Sequence, residues 1–261
     1  MNSFVHAIKA ELFKGRRTFL RYSPIVVPFA TVLILLPVGL QDISHNTSNS
    51  AVGIGVFNFY FLVWLFFMMP MYSLLVAILN YSSEHVQGLW KHINTQPVSG
   101  TMQVLAKHFY AWCYLIAATT ALSVMLLIVL LIAKLFFGVT IGLADVDFWR
   151  IIALFNIFSI VGGIAIITLL CVLTCRVASF TLPAMVGFFG VLLPIFASAD
   201  SKGAPFIPWT LGKVLLDPVF KETMLGAGVS PVQYWWVIVP AVQVVLLLCA
   251  HSYIQKKKPQ Y

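Results

Sequence analysis

Acidic residues are the scarcest feature of this sequence. Only 8 of its 261 residues are Asp or Glu, and charged residues of all types make up 9 %, against 61 % hydrophobic. A soluble domain carries about 25 % charged residues, so this chain has too little charge to cover a water-facing surface of its own size. A disordered chain is excluded as well, because disorder needs low hydrophobicity and high net charge. Cysteine is also sparse. Cys113, Cys171, Cys175 and Cys249 lie inside apolar stretches, with no Cys-x-x-Cys pair, and read as small packing residues rather than a disulfide or zinc framework. No G-x-x-x-x-G-K-[ST] sequence occurs, which excludes a nucleotide site of that kind on this chain.

Long apolar runs take the place of these features. A helix needs about 20 apolar residues to cross roughly 30 Å of hydrocarbon. Six stretches meet or approach that length, at 24–40, 57–79, 112–135, 151–174, 180–199 and 232–253. The expected fold is an all-α polytopic membrane protein with six transmembrane helices. The first stretch is short and holds Pro28 and Pro37, so it is expected to borrow neighbouring residues or tilt. It is followed by Gln41-Asp42-Ile43 rather than a small-x-small cleavage site, so an uncleaved first span is expected.

The net charge of +8 sits beside the apolar runs rather than in one stripe. It therefore reads as a topology signal and not as a nucleic-acid footprint. Lys9, Lys14, Arg16, Arg17 and Arg21 precede the first run, Lys91 and Lys107 follow the second, Arg176 the fourth, and Lys256, Lys257 and Lys258 the sixth. These outnumber Lys134, Arg150, Lys202, Lys213 and Lys221 on the other side. The positive-inside rule then places both termini in the cytoplasm of a cell inner or plasma membrane.

Ahead of the first run, Phe4, Ile8, Leu12, Gly15 and Phe19 recur at three-to-four spacing, with His6, Lys14, Arg17 and Arg21 on the other side. The pattern predicts a basic amphipathic helix lying in the membrane interface against lipid. Between the second and third runs, Ser82 or Ser83 can cap a helix with Glu84 in its first turn. Pro97 breaks the chain before a further helix leads through Lys107 into the third run. A short polar helix placed between two spans is a natural docking element.

Glu84, Gly88, Lys91, Pro97-Val98-Ser99 and Lys107 resemble the corresponding loop of ABC-2-type transporter permeases, most closely the branch of lantibiotic-immunity and peptide-export permeases. The resemblance implies a single permease domain over 1–261. Its parts are an elbow helix at 1–23, spans at 24–79, a cytoplasmic coupling-helix hairpin at 80–108, spans at 109–199, an extracytoplasmic or re-entrant segment at 200–231, and a last span with a basic tail at 232–261. It further implies that Glu84, His85, Gly88, Leu89, Lys91, His92 and Pro97 dock onto a cytoplasmic ABC ATP-binding subunit, while Phe4, Ile8, Leu12 and Phe19 form the elbow. ATP and Mg2+ would belong to that partner, with no cofactor on this chain. A second permease, identical or different, would complete the transporter, and an amphipathic peptide, antibiotic or lipid-like substrate would be exported, as in bacteriocin self-immunity.

Other chemistry finds less support. His85 and His92 are seven residues apart and Cys171 and Cys175 four apart, with no further ligand completing either set, so no metal is expected. No acidic residue lies deep in a span, which argues against a proton-coupled transporter. Asn156 and Gln243 are the polar residues away from the span ends. An interhelical hydrogen bond is the ordinary role for such a group and a substrate path the rarer one. Phe57, Phe59, Tyr60 and Trp64 are candidates to line that path, or else pack or face lipid. A membrane-embedded enzyme and a non-catalytic assembly or sensor subunit are the competing classes.

Overall fold

The computed structural model describes residues 2–16, 18–45, 52–86, 99–137, 146–176, 181–196, 207–210 and 238–257. Among the described residues there is no strand. In lipid an open sheet would leave backbone N–H and C=O groups without partners, whereas a helix satisfies them internally. The helices are α1 (Asn2–Gly15), α2 (Ser23–His45), α3 (Val52–Val63), α4 (Met69–Val86), α5 (Gly100–Phe137), α6 (Val146–Arg176), α7 (Thr181–Phe196) and α8 (Ile238–Lys257). A 3-10 turn, Phe19–Arg21, precedes α2, and a π-helical turn, Trp64–Met68, joins α3 to α4.

Three helical stretches are long and apolar enough to cross a membrane: Gly55–Tyr81, Gly100–Phe136 and Phe148–Arg176. Ser23–Gly39, Thr181–Pro194 and Ile238–Tyr253 are shorter apolar helices. These six stretches fall on the six apolar runs of the sequence. α2 passes through Pro28 and Pro37 and continues to His45, which gives the short first run its missing length. α5 has 38 residues, about 57 Å at 1.5 Å per residue, roughly twice the hydrocarbon thickness. Its first three turns therefore project beyond the apolar run that starts near Trp112.

In the π turn, Met69 N–H donates to Trp64 O, five residues back. Pro70 follows directly. It lacks an N–H, and its ring crowds the carbonyl four residues earlier, so a widened turn relieves that clash.

One expected element differs. No helix begins at Ser82 or Ser83, because α4 runs through both to Val86 and puts Glu84 in a last turn, not a first. Between Met71 and Gly88 the sequence holds neither Pro nor Gly, so nothing stops the helix where the serines stand. The docking segment that follows, 87–98, lies outside the described residues.

α5 and α6 form the centre. α5 packs against α1, α2, α4, α6 and α8, and α6 against α3, α4, α5, α7 and α8. Along the α5–α6 seam, Trp112 Nε1 donates to Thr168 Oγ1 at 3.0 Å. Further along, Ser123 Oγ donates to Asn156 Oδ1 at 2.9 Å, and Asn156 Nδ2 donates to Ile152 O at 2.8 Å. Between them Gly163 lets three helices close up: a Cβ there would lie 2.7 Å from Leu115 Cδ2 and 2.9 Å from Met69 Sδ. Halfway between the Gly163 and Asn156 contacts stand Thr119 and Ser159. Both are fully buried, and neither hydroxyl has a hydrogen-bond partner among the described residues.

Of the segment 200–231, Ile207 to Thr210 are described. Trp209 is buried with its indole laid directly on Gly190 of α7, where any side chain would collide with it.

The seam yields a paired prediction. Ser123→Ala removes the partner of Asn156 Oδ1 and is expected to lower stability by about 0.6–1.7 kcal/mol, the range of interhelical hydrogen bonds in a membrane protein. Thr119→Val keeps the shape, removes an unbonded hydroxyl, and is expected to leave stability unchanged or raised. Thermal unfolding of both variants in one detergent checks the contrast, and equal losses would refute it.

Candidate functional site

The polar side chains converge at the end of the bundle where α4 finishes and α5 begins, so that segment 87–98 leaves and re-enters there. Lys107, in the second turn of α5, is the centre of this cluster. Its side chain is 4 % exposed, and its Nζ lies 3.4 Å from Glu11 Oε1 of α1, itself 10 % exposed. Lys14 Nζ lies 3.0 Å from the same oxygen. The Lys107 ammonium also sits 5.0 Å from the centroid of the Tyr81 ring on α4, a cation–π contact. Its backbone carbonyl accepts a hydrogen bond from Asn80 Nδ2 at 3.3 Å. A buried lone charge costs several kcal/mol, and a charged partner with further polar contacts offsets that cost. Lys107 has both, the ion pair coming from α1 and the ring and amide contacts from α4.

The neighbouring residue extends the cluster to α8. His108 is fully buried, its Nδ1 is 2.9 Å from Val104 O, and its ring centroid is 5.1 Å from that of His251. His251 lies 6.4 Å from the Tyr81 ring. One group of side chains thus ties α1, α4, α5 and α8 together beside the two points where the 87–98 segment attaches. Among the described residues no three His, Cys, Asp or Glu side chains converge as a metal site requires.

A second layer fixes where α1 turns into α2. Gly15 rests directly on the Tyr110 hydroxyl, a contact that no residue with a Cβ could make unchanged. Tyr110 Oη donates to Tyr114 Oη at 2.9 Å. Tyr72 Oη donates to Tyr114 O at 3.3 Å and lies 3.2 Å from Ser23 Oγ at the start of α2, which donates to Leu20 O at 2.8 Å. The close approach at Gly15 and this chain of hydroxyls set the angle between the two helices.

The elbow residues do not share one face. Phe4 meets Phe109 of α5 with ring centroids 6.2 Å apart, Ile8 is half-buried, and Gly15 is buried. Leu12 and Phe19 point outward and are about half exposed. The inward face of α1 is completed by Glu11 because Lys107 waits for it. Among the docking residues, Glu84 and His85 lie in the last turn of α4, with side chains outside the described set. Gly88, Leu89, Lys91, His92 and Pro97 lie outside the described residues altogether.

Phe57, Tyr60 and Trp64, the candidate path residues, are at most 1 % exposed. Phe57 packs edge-on against Phe148 and stacks on Phe61, which stacks on Phe155. Tyr60 covers Gly39 of α2, and the Trp64 ring lies 6.3 Å from Tyr72. Asn156 holds α6 to α5. In this packing the three aromatics are core residues, while Asn156 is half-buried on the α5–α6 seam.

Sequence reasoning passed over Glu11, Tyr81 and His251. Glu11 did carry a signal, since it is the only acidic residue before Asp42 and stands among five cations. Tyr81 and His251 carried none, because their role comes from packing between helices far apart in sequence.

The buried pair is testable without a partner. Lys107→Met leaves the Glu11 carboxylate buried with Lys14 as its remaining cation and is expected to cost about 3–5 kcal/mol. The double variant Glu11→Gln/Lys107→Met is expected to recover most of that loss, because an uncharged pair has no buried charge left over. Thermal unfolding of the two variants decides the matter. A single variant no less stable than the double would refute the pair.

The pattern of the family described as ABC-2 family transporter protein matches residues 7–194 of this chain. That stretch begins in α1, takes in Glu11 and Lys107, and ends in α7. The search of curated proteins and the search of solved structures give no match. With about seven-tenths of the chain matched, and with three helices of membrane-crossing length, the protein is a multi-pass membrane protein that belongs to the ABC-2 family of ABC transporter membrane subunits.

Proposed function

We propose that the chain is the permease subunit of an ATP-driven exporter, with six crossings and both termini in the cytoplasm. Segment 80–108 receives the motion of a separate ATP-binding subunit. The observation that carries this reading is the position of Lys107. It binds Glu11 of α1, lies over Tyr81 of α4 and accepts from Asn80, next to both attachments of the 87–98 segment. A push delivered to that segment reaches α1, α4 and α5 together.

ATP and Mg2+ reside on the partner, where hydrolysis supplies the energy. The residues of this chain position the partner and transmit its movement. Glu84, His85, Gly88, Leu89, Lys91, His92 and Pro97 are the proposed docking surface, and α1 is the elbow that moves with it. A ligand shifts an equilibrium only by binding two states differently, so nucleotide must favour one arrangement of two ATP-binding subunits and, through them, one packing of two permeases. Packed interiors switch between discrete arrangements rather than deforming smoothly. The close-packed junction at Gly163 therefore moves as a body, and the π turn at Trp64–Met68 is the place where the α3–α4 helix has room to change.

The proposed cargo is an amphipathic peptide, antibiotic or lipid-like molecule, entering from the membrane. Bacteriocin self-immunity is one such role. Because Phe57, Tyr60, Trp64 and Asn156 are packed within a single chain, a path along them requires the α3–α6 contact to open during the cycle.

Purification of the tagged chain from its native membrane in mild detergent tests the central claim. A soluble ATP-binding subunit is expected in the eluate at equal stoichiometry. Glu84→Ala combined with Gly88→Val is expected to lose it at least ten-fold while the permease still elutes as a folded species. Retention of the ATPase by that variant sinks the docking assignment, and a well-folded chain that elutes alone sinks the exporter reading.

A further inference from the structure

We propose that the outward side of α1, with the turn into α2, is a binding surface for anionic phospholipid headgroups. The charge distribution is one-sided. Glu11 is the only carboxylate between residues 1 and 41, and it is turned inward and buried against Lys107. Lys9, Arg16 and Arg21 are all exposed, and none of the three has an ion-pair partner among the described residues. What α1 and the following turn present outward is therefore cationic with no acid beside it.

The same surface carries apolar side chains between the cations. Leu12 is 50 % exposed, Phe13 63 %, Phe19 52 % and Tyr22 58 %, and the Arg21 guanidinium carbon lies 5.7 Å from the Tyr22 ring centroid. By helical spacing Leu12, Arg16 and Lys9 share one side of α1 and Phe13 lies next to them. The apolar surface then continues without a charged residue onto Ile25 and Phe29, both exposed on the apolar helix α2.

Aromatic and aliphatic tips that run into a membrane-crossing surface, with long cationic side chains at their upper edge, match the boundary between acyl chains and headgroups. A protein partner would need complementary acids over this patch. An anionic leaflet supplies negative charge beside the hydrocarbon that covers Phe13, Phe19 and Ile25. Headgroups held here grip the back of the helix whose front carries Glu11 to Lys107, so lipid charge acts on the same helix as the buried pair. This inference needs only the membrane location and stands apart from the exporter reading.

Native mass spectrometry of the delipidated full-length chain, titrated with phosphatidylglycerol and with phosphatidylcholine of the same acyl chains, tests it. Wild type is expected to retain phosphatidylglycerol preferentially. Arg16→Gln/Arg21→Gln is expected to weaken that binding roughly five-fold per cation removed, while phosphatidylcholine binding and thermal unfolding stay unchanged. Arg16→Lys/Arg21→Lys is expected to keep the preference, since charge and not guanidinium geometry carries it. Equal binding of the two lipids by wild type, or an undiminished preference in the Gln variant, overturns the proposal. A photoreactive residue at position 13 in native membranes is expected to give lipid adducts, and a protein adduct would overturn it in favour of a protein partner.

Discussion

A charge can be held inside an apolar bundle only where other groups replace its water, and the Lys107–Glu11 pair meets that condition. The pair selects which face of α1 turns inward and how deeply the first turns of α5 are covered. It also places the end of α4, because the Lys107 ammonium needs the Tyr81 ring and its carbonyl takes the Asn80 amide. The α1 helix owes its seat to this pair and to the bare surface of Gly15 against Tyr110. Remove either and the amphipathic helix has no reason to prefer this side of α5 to the membrane surface.

The membrane-embedded part is held by different means. Lipid gives apolar side chains no incentive to leave it, so helices associate through close packing and a few hydrogen bonds. The α5–α6 seam has both: close approach at Gly163 and the paired groups Trp112–Thr168 and Ser123–Asn156. The bundle is therefore stiff at its centre. Its charged tie lies at the end where the 87–98 segment attaches.

Much of this was legible beforehand. Apolar runs located the three helices of membrane-crossing length and the three shorter apolar ones, since crossing length and lipid-imposed helicity leave few alternatives. The basic, periodic N-terminus gave α1, and the polar segment before the third run falls between the end of α4 and the start of α5. The misreadings have local causes. Ser82, Ser83 and Glu84 form a helix-start signature, but no breaker separates them from the preceding turns, so α4 absorbs them. Phe4, Ile8, Leu12 and Phe19 keep helical spacing but split between two faces, because a carboxylate with a buried partner outranks an apolar residue that lipid accepts equally well.

The sequence by itself determined that the chain lives in a membrane, that it is helical, roughly where each helix lies, and that it carries no nucleotide-binding loop of the common kind. These are properties of composition and of neighbours along the chain. Only the tertiary structure decided that Glu11 meets Lys107 across 96 positions, that His251 comes against His108, that Trp209 caps Gly190, and that the aromatics of α3 point into the core. Apolar periodicity cannot foretell such contacts, because in lipid nearly every face of a helix is apolar. What distinguishes one face from another is the fit of a few polar and small residues on helices distant in sequence.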